Sequence, residues 1–258
     1  MKRSKITILL AIVLGMTFHS CLDLEPQDQL GGKNMWTSVN DYKQFANTFY
    51  SWTRDFSSVV YDGTHSDKRS DLITYQSYNE FSRGINSIPS SDANYTDNYK
   101  HIRRTNSLLQ NAEAYAKPED IKQYIGEAYF FRAYSYFDLL QLYGDVIITK
   151  KPLDITDPEM KVKRNDRSEV VDLIIDDLNH AVENLPAFKE LTTEEEGRIS
   201  KEGAQAFLSR VALYEGTWQK SRNGNQNTQR SANLLDIAAK AARTVIDAKY
   251  GYTFRLFG

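Results

Sequence analysis

Cys21 has both the chemistry and the setting to be modified. It is the only cysteine among 258 residues, and it follows a basic start (Lys2, Arg3, Lys5) and an apolar run from Ile6 to Met16. A mature bilayer-spanning helix needs ~20 apolar residues, so the run is too short to be one. Its size is that of a signal-peptide core, and Ser20 supplies a small residue just before the cysteine. A thiol there is a nucleophile for diacylglycerol transfer, after which the new N-terminus can also be acylated. Each buried CH₂ contributes ~0.8 kcal/mol, so two or three chains anchor durably where one does not. The alternative is an ordinary secretory leader with an incidental cysteine, since Phe18 and His19 are not the usual residues of a lipobox. We therefore expect residues 1–20 to be removed and the exported chain to be held by a lipid on Cys21.

Elsewhere the residues of catalysis are sparse. His65, His101 and His180 are widely separated and lack Cys or Glu neighbours at metal-ligand spacing. There is no nucleophile elbow, phosphate-cradling glycine loop or dinucleotide fingerprint. Carboxylates are plentiful, but nothing selects the cleft-spanning pair that a glycosidase needs, and solvated helix faces account for them. No catalytic residue, metal or cofactor is assigned, and ligand or partner binding is the expected class.

Loss of the 20-residue leader leaves 238 residues, enough for one large domain or two small ones. Three basic and no acidic residues leave with it, taking the formal charge from −2 to −5. Such a surface argues against nucleic acid as a partner. No disulfide can form if the lone thiol is acylated, and a chain of this size needs none. The 16 tyrosines offer flat apolar faces with a hydroxyl at the rim, suited to recognition as well as to cores.

The elements around these residues read as helices. Residues 21–36 form an acidic tether with Asp23, Glu25 and Asp28, kept non-helical by Pro26, Gly31 and Gly32. Ser38 caps a first helix with the stripe Tyr42, Phe45, Ala46 and Phe49. From Ser51 to Thr96 the periodicity fades; a stretch that long is functional or ordered by its own turns. Helical spacing returns at Tyr99, Ile102, Asn106 and Leu109, with Asn106 expected as a clamp between helices. Pro118 opens the next helix, which runs to Tyr143 and stops at Gly144. Its apolar residues surround most of its circumference, which makes it central; Arg132 and Asp138 need partners or water.

Val146 to Ile148 is a short extended run, and Asp166 with Glu169 makes a capping box for a helix ended by Pro186. Ser200 opens a further helix whose small residues Ala206, Ser209, Ala212 and Gly216 allow close approach. The last helix is expected from about Ser231, and the span Ser200 to Ala248 reads as one tetratricopeptide-type hairpin. The expected fold is all-α: a tetratricopeptide-like helical-hairpin stack over residues 37–258 with a long irregular loop segment.

The conjunction resembles the SusD/RagB family of outer-membrane nutrient-binding lipoproteins. It is carried by Cys21 with Asp23, Trp36, and Asn106 with Leu108 and Leu109. Gly126-Glu127-Ala128, Phe131-Arg132-Ala133, Tyr136-Phe137 and Tyr143-Gly144-Asp145-Val146 are stronger. Arg167-Ser168-Glu169-Val170, Asp177-Leu178, Leu185-Pro186, Gly197-Arg198, Arg210 and Leu213-Tyr214 complete the order. Two departures stand out. Ile148 replaces a common proline, and the chain stops at Gly258, where members of the family are at about half their length. The resemblance thus implies that the second half of the family fold, with part of the ligand surface, is absent, and that the apolar tail from Tyr250 to Phe257 lacks its partner.

The likeness implies a surface lipoprotein that captures glycans, or less often peptides, and hands them to a SusC-like TonB-dependent outer-membrane transporter. Family ligand contacts fall partly between the first two long helices, here Asp55 to Asp97. That places Asp67, Arg69, Asp71, Tyr75, Tyr78, Asn79 and Phe81 as candidate ligand residues. Asp and Arg can hydrogen-bond sugar hydroxyls and Tyr offers a stacking face. The same aspartates could instead cap turns while the tyrosines pack the loop down. The competing readings are a lipid-anchored helical-repeat scaffold that binds protein alone and a truncated family member without function.

Overall fold

The structure, a computed structural model, describes residues 35–54, 72, 80, 83–222 and 228–248. The leader, Cys21, nearly all of the tether, all seven candidate ligand residues from Asp67 to Phe81 and the apolar tail lie outside the described residues.

Six α-helices make up the described fold: α1 (Val39–Asn47), α2 (Ala93–Glu113), α3 (Lys122–Tyr143), α4 (Arg167–Asn184), α5 (Lys201–Arg222) and α6 (Thr228–Asp247). From α2 onward each packs antiparallel on the next, in a tetratricopeptide-like stack. The cause of each boundary is local. Ser38 and Asp41 exchange hydrogen bonds at the start of α1, with Ser38 N–H donating to Asp41 Oδ2 at 2.8 Å. Asp166 and Glu169 do the same for α4. Gly144 stops α3 with φ of +71°, a conformation that glycine takes without strain. Trp36 takes φ of +78° ahead of α1, and its ring lies 5.0 Å from Tyr42 and 4.7 Å from Phe45.

α3 is the centre. Phe130, Phe131, Ala133, Tyr136, Phe137, Leu139 and Leu140 are all buried, on several sides of the helix, as its near-uniform hydrophobicity requires. α2 and α4 flank it, and α1 packs on it as well. Where Gly126 meets the end of α4, an added Cβ would stand 2.9 Å from Leu185 Cγ and 3.0 Å from the Leu185 nitrogen. Gly216 performs the same task between α5 and α6, against Leu234 and Leu235.

Several expected details shift. α3 is preceded by a 3₁₀ turn over Pro118–Ile121, so Pro118 opens that turn and not the α-helix itself. The irregular stretch is shorter than its composition implies: a 3₁₀ turn continues α1 to Trp52, and Asp92 caps α2 by accepting from Asn94 N–H at 2.9 Å. Of Val146 to Ile148 only Val146 pairs, in an isolated bridge to Asn165. Ser231 does not open the last helix. It lies within α6, and its hydroxyl donates to the Gly216 carbonyl of α5 at 2.8 Å. Ala206 is exposed on α5, leaving Ser209, Ala212 and Gly216 at the α6 contact.

Candidate functional site

Among the described residues three buried carboxylate–guanidinium pairs hold the stack together, and they engage polar residues that stood out in the sequence. Arg132 on α3 reaches Asp177 on α4 with two parallel bonds, Nε to Oδ2 at 2.8 Å and Nη2 to Oδ1 at 2.6 Å. Its Nη1 donates to Asn106 Oδ1 on α2 at 2.8 Å. Burial works against the Arg132 charge, but the hydrogen bonds and charge of Asp177 outweigh it and raise the guanidinium pKa. Asn106 completes its own bonding through Nδ2, which donates to the Thr149 carbonyl at 2.9 Å. The expected clamp role of Asn106 therefore holds, as does the need of Arg132 for a partner. Asp138 is paired too, with Arg54.

The second pair joins Glu127 on α3 to Arg198, in the connection that leads into α5, at 2.8 and 2.7 Å. Arg198 also donates to Asn47 at the end of α1, and its guanidinium lies 5.3 Å from the ring centres of Tyr50 and Tyr124. The third joins Arg167 on α4 to Glu215 on α5 at 2.9 Å, with Gln219 donating to the same carboxylate at 2.7 Å and Arg167 lying over the Trp218 ring. In each case the carboxylate side chain is fully buried. The first two pairs are bidentate, which fixes direction as well as distance, so they set how α3 sits against α4 and against the connection into α5. They leave no open catalytic carboxylate among themselves.

The segment after Gly144 does more than connect. It returns along α2 as a strap tied down at each step. The Tyr99 hydroxyl donates to the Ile147 carbonyl at 2.8 Å and accepts from its N–H at 2.9 Å. The Tyr136 hydroxyl accepts from Thr149 N–H at 2.8 Å. Arg103 donates to the Leu153 carbonyl, and Ile148 N–H to Asn165 Oδ1 at 2.9 Å. Between strap and helix lies a cleft of about 400 Å³, within the ~300–1,000 Å³ of ordinary small-ligand sites. Tyr95 and Tyr99 form its aromatic wall, and Ile147, Leu153 and Met160 its aliphatic one. Burial, followed by the neighbouring Tyr95 hydroxyl, raises the Tyr99 pKa and keeps its phenol protonated.

Two further clefts border α4, one together with α2, α3 and the strap and the other together with α6. One of about 370 Å³ has Tyr129, His180 and Lys150 in its walls, and one of about 560 Å³ has Asn179, Arg230 and Asn233. Asp176 borders both. His180 stacks on Tyr129 with ring centres 4.8 Å apart, and His101 stacks on Trp52 at 4.1 Å. Among the described residues no group of three or more His, Cys, Asp or Glu side chains is arranged to hold a metal ion. No described helix is long and apolar enough to cross a membrane.

The strap cleft escaped sequence reading because its walls come from residues about fifty positions apart. Tyr99 stood out as a stripe residue, but its task as a strap anchor had no local signal. Lys100 and Arg103 look like any solvated helix face. Glu215 was also missed, since a lone glutamate near the end of a helix carries no mark of its distant partner.

The family model described as starch-binding and associating with the outer membrane matches residues 22–213. Two SusD-like proteins of Formosa agariphila, P38 and P2, are 27% and 28% identical over 233 and 238 residues. Those alignments take in 83% and 86% of this chain but 42% and 45% of the relatives, so the chain spans less than half their length. A crystal structure of a SusD-like protein from Bacteroides fragilis superposes with a TM-score of 0.67 at 25% identity, over 88% of this chain and 41% of that one. A SusD homologue of Bacteroides thetaiotaomicron shares the fold at a TM-score of 0.62 and 21% identity, over 83% and 42%. The helical order, the buried pairs built from the recognisable motifs and the match over residues 22–213 agree: this chain belongs to the SusD-like family.

Proposed function

We propose that this chain is part of a cell-surface lipoprotein that captures glycans and passes them to a SusC-like TonB-dependent transporter in the outer membrane. The observation that carries the reading is the family match across residues 22–213, with its description as starch-binding and outer-membrane associated. The arrangement of the molecule supports it. Helices locked by buried ion pairs make a stiff body, as a binding protein that must present loops and clefts requires. In this reading residues 1–20 are the leader, 21–36 the tether and 37–258 the helical domain, with Cys21 as the lipid site. The task is binding, not catalysis, and the seven residues from Asp67 to Phe81 remain candidate contacts.

Retention on insoluble polysaccharides, measured for the chain lacking residues 1–20, tests the central claim. Retention that a soluble oligosaccharide competes away supports it. A folded chain indifferent to every glycan in a broad panel overturns it in favour of a scaffold that binds protein alone. The anchor has its own test. Cys21→Ala should move the protein out of the outer-membrane fraction, and a variant that still sediments with membranes after salt washing rules the lipid out.

A further inference from the structure

We propose that the cleft between α2 and the strap binds an acidic sugar unit, whose carboxylate or sulfate sits at Arg103 while its ring lies against Tyr95 and Tyr99. The assignment rests on the glycan-binding reading above and narrows it to a place and a charge. Three observations carry it.

The cleft is already formed. The strap is pinned at Ile147 by Tyr99, at Thr149 by Asn106 and Tyr136, and at Leu153 by Arg103. Tyr95 is braced edge-on by Tyr143, with ring centres 5.2 Å apart and planes at 88°. A ligand therefore meets a fixed wall and loses little free energy to ordering it.

The wall suits a sugar ring. A pyranose has an apolar C–H face and a hydroxylated edge, and it needs an aromatic surface beside polar groups. Tyr95 and Tyr99 supply the surface, while Thr96, Lys100 and Glu159 at the rim can bond hydroxyls.

The charge has a sign. Lys100 is matched by Asp97 at 2.8 Å and Lys151 by Glu159 at 2.9 Å, both pairs at the exposed margin. Arg103 is exposed as well but differs in its partner: it donates to the Leu153 carbonyl and has no carboxylate partner among the described residues. A carbonyl satisfies one of its N–H groups but neutralises no charge. In a chain of net negative charge, this cleft thus keeps an uncompensated cation beside a stacking wall. A guanidinium with free N–H groups is suited to carboxylate and sulfate oxygens alike.

Calorimetric titration of the chain lacking residues 1–20 decides the point, with trigalacturonate, a sulfated galactotriose and neutral galactotriose as probes. One or both acidic probes should bind about tenfold more tightly than the neutral one at low salt, and the two acidic arms separate uronate from sulfate. Added salt should narrow the gap. Arg103→Gln should abolish the difference, Arg103→Lys should keep most of it, and Tyr95→Leu should weaken all binding while the thermal melt stays that of a folded chain. Equal affinity for acidic and neutral probes, or a preference that survives Arg103→Gln, overturns the assignment. If neutral polysaccharide is retained whatever stands at position 103, glycan capture stands and this cleft is not its acidic site. If no glycan of either kind binds, both readings fall.

Discussion

Arg132 is 5% exposed and Asp177 is fully buried, so neither charge has water to fall back on. Two such ions gain stability from each other only through close, saturated geometry, and removing one leaves the other buried alone. Arg132→Met or Asp177→Leu should therefore each cost about 3–5 kcal/mol in urea denaturation. The double change should recover much of that, because two apolar side chains leave no orphan charge. A double variant as unstable as the sum of the singles would mean that Asn106 and Thr149 depend on Arg132 more than Asp177 does. His101 behaves in the opposite sense. Burial beside Trp52 pushes its pKa down from 6.5 to about 4. A histidine lowered in this way binds fewer protons folded than unfolded. Its contribution is fully present above pH 6.5 and declines as the pH falls towards 4. The melting temperature should fall through that window, and His101→Phe should flatten the fall. An unchanged acid slope in the variant would assign the effect elsewhere.

At the scale of elements, the helices depend on whether neighbours can approach. Gly126→Ala improves intrinsic helix propensity by up to ~1 kcal/mol, yet its Cβ would press on the Leu185 backbone at 3.0 Å. The overpacking should win, with a net loss of about 1–3 kcal/mol in chemical denaturation; a stabilised variant would show that the end of α4 can slide. The same contrast explains what the sequence could reveal. The cap at Ser38, the capping box at Asp166, the stop at Gly144 and the apolar circumference of α3 are written within a few residues of where they act. They were legible for that reason. The partners of Arg132, Arg167 and Arg198 lie 45 to 71 positions away, and one chain read alone does not encode which acid meets which base. Ser231 carries no local sign of its partner either, since its hydroxyl serves the neighbouring helix. The strap cleft was illegible for the same reason as the ion pairs, since its walls meet only after α2 and the strap have packed. The family's motif residues were recognised as a pattern, and their role proved to be holding helices together.

Across the molecule, the three buried pairs are not spread evenly. Two of them include α3, through Glu127 and Arg132, and the third joins α4 to α5. α1 is drawn into the same network through Asn47 and Arg198. α6 has no buried ion pair among the described residues. It packs on α5 through Leu234, Ala238 and Ala241 and touches α4 chiefly by Arg230, which bonds Asp172 and the Ser168 carbonyl. In a stack whose units contact mainly their neighbours, stability is close to a sum of local and interface terms, so the unit with the fewest ties opens first. Native-state hydrogen exchange should therefore rank α3 as most protected and α6 as least, with α4 and α5 between them. Arg230→Ala should lower protection in α6 while leaving α3 unchanged. Its pair with Asp172 is largely exposed on the acid side, so the effect should be modest and should shrink with added salt. Arg167→Met should act differently, loosening α4 and α5 together because Glu215 would be left buried and unpaired. If instead all six helices exchange at one common rate in the unaltered chain, the ion pairs have fused the stack into a single cooperative unit, and the neighbour-by-neighbour account of its stability is wrong.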